Sequence, residues 1–297
     1  MKAMTVSVLM ITYNHSKYIK QAVESVLEQK TNFDFELIIA NDCSPDNTDE
    51  IINDIIKNNP NGYKIKYYSH QKNIGMMSNF IFLTEQAIGK YCALCEGDDF
   101  WTDNYKLEKQ VSFLDSNLDY SICFHNVQIL TNEGLITENP LIALDTSTIL
   151  DLAKGNYIHT PSVVYRNHLI PKLPDYFKKA PVGDYFLHML NAKYGKIKYI
   201  DENMAVYRVH ETSYWSSKKQ SERELIWIKF LKNIKENFSP EIQILIKNQI
   251  HTLKKNNKKI IGFGAPAKAT TALNFIAATK PIMMAKKENN ATISPRL

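Results

Sequence analysis

The chain has 297 residues, 44% of them hydrophobic and 23% charged, which is the composition of a globular protein with a sizeable core and excludes a disordered, collagenous or fibrous chain. Residues 251–297 carry nine Lys or Arg against one acid, a net +8, so the whole-chain charge of +5 leaves −3 for residues 1–250. The basic excess belongs to the tail, and a nucleic-acid footprint spread over the main domain is excluded.

In chain order, residues 6–11 are an apolar, β-branched run that predicts a buried strand. Ile19, Ala22, Val23, Val26 and Leu27 then recur at helical spacing, with Ser16 placed to cap that helix. A second strand is expected over 35–40, and a second helix from Thr48 with Ile51, Ile52, Ile55 and Ile56 on one face. A third strand over 64–69, a third helix over 76–88 and a fourth strand over 91–95 follow, the last running into Glu96-Gly97-Asp98-Asp99. Such alternation predicts the α/β class, with a mostly parallel sheet flanked by helices. Past residue 120 the pattern is less regular. It gives a strand over 121–130, a turn at 132–134, a strand around 162–165 and a helix near 184–193, read together as the acceptor side. Helices over about 219–236 and 239–256 make a helical C-terminal appendage, and a strand is expected over 258–263. Four cysteines are too few for a disulfide framework, the longest apolar runs fall far short of the ~20 residues that span a bilayer, and no basic segment with an apolar h-region precedes the first strand. A cytoplasmic setting with reduced thiols is expected.

In sheets of this kind ligands bind at the carboxyl ends of the strands. Here those ends are polar and acidic: Thr12-Tyr13-Asn14 after the first, Asn41-Asp42 after the second, and Glu96, Asp98 and Asp99 after the fourth. Carboxylates crowded into four residues repel unless a cation neutralises them, and oxygen ligands suit Mg²⁺ or Mn²⁺, so a metal-bound diphosphate is the natural guest. Taken alone, the same cluster also reads as a solvated acidic turn. Asp42 is placed to accept hydrogen bonds from a base or ribose, and Tyr13 offers a ring face or hydroxyl.

Five ordered motifs, VSVLMITYNHSKYIKQAVESVLEQ, IIANDCSPDNT, NIGMMSNF, CEGDDFW and APVGDYFL, resemble those of the family 2 glycosyltransferases, with the GT-A fold, over roughly residues 4–215. The resemblance implies a nucleotide-binding role for Thr12, Tyr13, Asn14 and Asp42, and a donor-site lining of Asn73, Gly75 and Asn79. EGDD matches the family's DxD metal motif with Glu in place of the first Asp, which implies Asp98 as metal ligand and Glu96 and Asp99 at the donor sugar or diphosphate. Asp184 falls where the family places its general base. A sugar hydroxyl is a poor nucleophile and inverting displacement needs such a carboxylate; the bland reading is that Asp184 only caps the following helix. Tyr207 to Ser216 resembles a downstream YRxHxxxxWS stretch and is read as a loop closing over donor, with Arg208 at the diphosphate and His210 at the metal. The resemblance thus implies a metal-dependent inverting glycosyltransferase. It would use Mn²⁺ or Mg²⁺, a nucleotide-diphosphate sugar with UDP favoured, and a saccharide or lipid-linked saccharide acceptor in surface polysaccharide assembly. A catalytically decayed sugar-nucleotide-binding protein and a sugar nucleotidyltransferase are the alternatives; the second needs a glycine-rich loop where this chain has ITYNHSKY.

Cys92 and Cys95 form a C-x-x-C, but an odd spacing in a strand sends the two thiols to opposite faces, which favours core packing over a redox or zinc pair. The organisation expected is a glycosyltransferase domain over 1–217, with a donor half to about 118 and an acceptor half from 119, then a helical extension over 218–257. The last segment, 258–297, reads as strand, glycine turn and helix, and its GFGAPAK resembles a fragment of the C-terminal domain of sugar C-methyltransferases. Its +8 charge also suits peripheral contact with an anionic inner membrane leaflet.

Overall fold

A computed structural model describes residues 4–261 apart from 132, 135, 140–142 and 216. The first half alternates as expected: β1 (Val6–Thr12), α1 (Ile19–Leu27), β2 (Phe35–Asn41), α2 (Thr48–Asn58), β3 (Ile65–Ser69), α3 (Met76–Gln86) and β4 (Tyr91–Leu94). All of these strands pair in parallel, in the order β3-β2-β1-β4. The chain moves outward from β1 to β3 and then returns to the other side of β1. The strand order therefore reverses between β1 and β4, which opens a crevice at their carboxyl ends. That is where residues 12–15 and 96–99 emerge.

The second half continues with β5 (Phe100–Trp101), α4 (Lys106–Ser116), β6 (Tyr120–Leu130), β7 (Ile136–Glu138), β8 (Thr146–Ser147), α5 (Ile149–Leu152), β9 (Val164–Arg166), α6 (Gly183–Asn191), β10 (Lys196–Arg208), α7 (Gln220–Ile234) and α8 (Pro240–Ile261). Strand β9 joins β4 to β6 in antiparallel fashion, and β10 runs parallel to β6 and antiparallel to β5. Neither α4 nor the 13-residue β10 is anticipated by the sequence reading. β10 carries Asp201-Glu202-Asn203 in its middle, where bulges interrupt its pairing with β6, so no alternating pattern marks it. The Ser16 cap is corrected: α1 has Tyr18 in the cap position with no side-chain cap, and the Ser16 N–H donates instead to Asp46 Oδ2 at 2.8 Å. The strand expected from Lys258 is corrected too, since α8 continues to Ile261. The glycine turn and the methyltransferase-like remnant beyond it lie outside the described residues.

Alternation along the central strands divides the core into two layers. Val8, Met10, Leu37, Ile39, Ala93 and Cys95 face α1, α2 and α4, while Leu9, Ile38, Ala40, Cys92 and Leu94 face α3 and α6. The two thiols of the C-x-x-C thus lie buried on opposite faces, as the spacing predicts. α7 and α8 complete the second layer: Trp227 packs against Tyr185 with ring centroids 5.0 Å apart, and Phe230 against Phe186 at 6.1 Å. Among the described residues no helix is long and apolar enough to cross a membrane.

Two predictions arise here. A Cβ at Gly89 would meet backbone, with Ser7 N at 2.5 Å and Val6 C at 2.8 Å, whereas one at Gly183 would meet only the end of the Met77 side chain. Backbone cannot yield as a methionine tip can. Gly89→Ala is expected to cost about 3 kcal/mol, a Tm loss of roughly 6–12 °C, and Gly183→Ala clearly less, as read by calorimetry. The second concerns acid. Burial lowers His188 to about 3 and His159 to about 4, so the folded chain holds both neutral where the unfolded chain takes up protons. Their contribution is complete above the ordinary value of 6.5 and is lost as pH falls towards the folded values. Taking the pH from 7.5 to 5.5 is expected to remove on the order of 1 kcal/mol per histidine, and His188→Phe should flatten that slope in urea titrations.

Candidate active site at the reversal of strand order

The crevice is built from four chain segments. After β4, Gly97 lets residues 96–99 turn tightly beside the end of β1; a Cβ there would lie 2.8 Å from Thr12 Oγ1 and 3.0 Å from His15 Nδ1. The Gly97 N–H donates to the Ile11 carbonyl at 3.0 Å. Strand β5 follows at once, and its pairing of Phe100 with Val206 and Trp101 with Ala205, carried two residues further, sets Arg208 opposite Asp98. The Arg208 N–H donates to Asp99 Oδ1 at 2.8 Å. Its guanidinium donates to the Asp98 carbonyl and to Gln21 Oε1 at 2.8 Å, and lies over the rings of Tyr18 and Phe100 at 4.6 and 5.2 Å. His210 Nε2 is 2.9 Å from Asp98 Oδ2, with Thr212 Oγ1 2.9 Å from its Nδ1. Arg208 is the last residue of β10, so the part of the expected closing loop that bears these groups is already seated against the acids.

The acids behave as a set. Burial raises Glu96 to about 8, helped by the charges of Asp98 and Asp184, and burial with the charges of Asp98 and Glu96 raises Asp99 well above its ordinary range. Burial would raise Asp98 as well, but the hydrogen bond with His210 and the nearby His15 hold it below the usual carboxylate range. Asp98 Oδ1 and Asp99 Oδ2 are buried without partners. Orphaned oxygens in a crowded anionic site fit a divalent cation, and Glu96, Asp98 and Asp99 bring one oxygen each to within 4.8 Å of one another.

Asp184 sits in the first turn of α6, whose cap position is Val182 with no side-chain cap, so Asp184 is not the N-cap. Gly183 permits α6 to approach Met77 of α3. Burial raises the Asp184 carboxyl above its ordinary value although Thr160 Oγ1 donates to it at 3.3 Å. Its charge is felt at Glu96, and the Tyr207 phenol, raised by burial, feels all four acids. A cavity of about 440 Å³ opens on the His210 side, lined in part by Asn14, Tyr18, Asp46, Arg208 and Thr212.

Of the residues singled out from the sequence, Glu96, Asp98, Asp99, Asp184, Arg208 and His210 converge here, with Thr12 beneath Gly97 and the exposed Tyr13 and Asn14 at the rim. Both oxygens of Asp42 accept backbone N–H groups, from Ile74 at 2.7 Å and Gly75 at 2.9 Å. It therefore braces the turn holding Asn73 and Gly75, the latter at φ 88°, and each oxygen keeps one lone pair for a ligand. Asn79 is 1% exposed and spends its amide inside the fold, donating to the Ala40 carbonyl at 2.8 Å and accepting from His70 at 2.9 Å. A buried amide must be satisfied internally, and through these bonds Asn79 braces the floor under the Asn73–Gly75 turn. His15 and Tyr18 were not singled out. Both sit in the TYNHSKY turn, and only the adjacency of β1 and β4 brings them to Asp98.

Residues 7–171 match the model of glycosyl transferase family 2, which is more than half of the chain. An uncharacterized protein of Mycobacterium tuberculosis (strain ATCC 25618 / H37Rv) is 37% identical over 223 residues, covering 74% of this chain and 63% of the relative; the chain therefore spans somewhat under two thirds of its length. The abequosyltransferase RfbV of Salmonella typhimurium is 33% identical over 121 residues, 40% of this chain and 35% of that one. Among solved structures, S. aureus TarS 1–349 in complex with UDP-GlcNAc superposes with a TM-score of 0.64 at 18% identity, covering 93% of this chain and 79% of that one. The chain belongs to glycosyl transferase family 2. Its fold, a curled, mostly parallel mixed sheet flanked by helices, is GT-A.

Proposed function

We propose that the protein is a metal-dependent, inverting glycosyltransferase that moves a sugar from a nucleotide-diphosphate donor to a saccharide or lipid-linked saccharide acceptor in surface polysaccharide assembly. The observation that carries this reading is the convergence of Asp184 with Glu96, Asp98, Asp99 and Arg208 at one strand-order reversal. A lone acidic turn does not need a second carboxylate from α6. In this reading residues 1–118 hold the donor and 119–217 the acceptor, and the protein works in the cytoplasm, with its basic tail at the inner membrane surface.

Asp184 takes the proton of the attacking hydroxyl, a task that suits a carboxylate whose burial makes it a stronger base than an ordinary one. Arg208 stays cationic and faces the departing diphosphate, and Tyr207 stays protonated between base and donor. Asp98 and His210 would hold Mn²⁺ or Mg²⁺, whose chemistry is to neutralise the diphosphate. The two exposed groups Tyr13 and Asn14 flank the base of the nucleotide, for which UDP is favoured. The TarS complex with UDP-GlcNAc supports a uridine donor.

The test incubates purified protein with Mn²⁺ or Mg²⁺ and a panel of UDP-, GDP-, CMP- and dTDP-sugars, reading nucleotide release beside Asp98→Ala and Asp184→Asn. Release from one donor, absent in both variants, is the expected result. Binding of a donor with no turnover under any acceptor would favour a decayed enzyme, and no binding at all would sink the assignment of the crevice.

A further inference from the structure

We infer that His15 is a third metal ligand with Asp98 and His210, and that this two-imidazole, one-carboxylate site takes a first-row transition ion such as Mn²⁺, Co²⁺ or Zn²⁺ in preference to Mg²⁺. The inference rests on the proposed function only in placing a cation at Asp98. Its geometry is independent of any donor.

The three groups each bring a ligand atom to within 4.8 Å of the others. His210 Nε2 is 2.9 Å and His15 Nε2 3.8 Å from the same Asp98 oxygen. Ligands about 2.1 Å from one ion lie about 3.0–3.4 Å apart at octahedral or tetrahedral angles, so the observed spacings bracket a bound ion. The remaining Asp98 oxygen is buried and unpartnered. The backbone of His15 is fixed by its N–H donating to Thr48 Oγ1 at 3.1 Å, and the His210 ring packs on Tyr18 with centroids 4.8 Å apart. Thr212 matters for the chemistry. Its hydroxyl donates to Nδ1 when Nε2 carries the proton, and accepts from Nδ1 when Nε2 gives its lone pair to a metal, so His210 can switch tautomer without losing a partner.

A competing cradle shares Asp98, namely the oxygens of Glu96, Asp98 and Asp99. That all-oxygen set would suit Mg²⁺, whereas imidazole selects transition ions. The His15 side tips the choice, because the Nε2 atoms of both His15 and His210 face the same Asp98 oxygen and imidazole nitrogen favours a transition ion there.

The experiment titrates the full-length, metal-stripped protein with Co²⁺, reading its d–d absorption, with Mn²⁺ by EPR, and with Mg²⁺ in competition. His15→Gln is expected to weaken Co²⁺ and Mn²⁺ by about tenfold or more and to alter the Co²⁺ spectrum, leaving the weaker Mg²⁺ binding largely unchanged. Unaltered Co²⁺ affinity and spectrum in that variant, or an equal loss of Mg²⁺, would overturn the inference. A second readout needs no variant: the Co²⁺-loaded wild type is expected to show two exchangeable, hyperfine-shifted imidazole N–H resonances, and a single one would overturn it. Neither measurement requires turnover, so a protein that transfers no sugar still decides the question.

Discussion

Asp184→Asn is expected to lower kcat for sugar transfer by about 10²–10⁴-fold, the range in which a positioned general base acts, with little change in donor affinity or stability. The amide has the shape of the carboxylate and can still accept from Thr160 Oγ1, now 3.3 Å away, so α6 keeps its place. It lacks the negative charge that takes the proton of the attacking hydroxyl. The pH profile supplies an independent check. Burial raises the Asp184 carboxyl above its ordinary 3.8, and a base works only when ionised. kcat/KM of the wild type is therefore expected to climb with pH through a midpoint displaced above that value, and the residual rate of the variant to lose this limb. Asp184→Asn with a wild-type rate would remove the base from this position.

Asp98→Ala is expected to abolish metal-stimulated transfer, a loss of about 10³-fold or more, while leaving the fold within about 1 kcal/mol of the wild type. The two effects have different origins. Asp98 is the group shared by both candidate ligand sets, so its removal disrupts either one. For stability, the lost hydrogen bond to His210 is offset because Asp98 adds to the charge that raises Glu96 and Asp99. Removing it should let Glu96 titrate nearer its ordinary value, as carboxyl NMR would read. Unlike Asp184→Asn, this variant should also lose metal-dependent donor binding in calorimetry, and equal donor affinity in the two variants would contradict the division of labour.

How much of this was legible beforehand follows from which interactions are local. The first four strands and three helices could be read because each is a short segment whose apolar period matches its own element, and the acids at the end of β4 could be read because they are four neighbours in sequence. Asp184, Arg208 and His210 were reached only through a resemblance of motifs, since nothing within a few residues of them signals a shared site. His15 was overlooked although it adjoins Asn14, because a lone histidine after a strand has no local partner to give it meaning. Asn79 shows the converse: a polar residue in a motif gives no sign in sequence of its burial at 1% or of an amide satisfied inside the fold. β10 escaped because its middle is polar and its pairing with β6 is broken by bulges, so it is held by partners far along the chain rather than by its own pattern.

The sequence by itself determined the α/β alternation, the carboxyl-end acids and the opposite facing of Cys92 and Cys95, all consequences of periods of 2 and 3.6 residues that act over a few neighbours. Only the tertiary structure decided that β5 pairs with β10 and so lays Arg208 and His210 on Asp98, that α6 brings Asp184 to the same acids, and that burial shifts their proton affinities. Those outcomes depend on long-range pairing and on the exclusion of water, which no local window of the chain encodes.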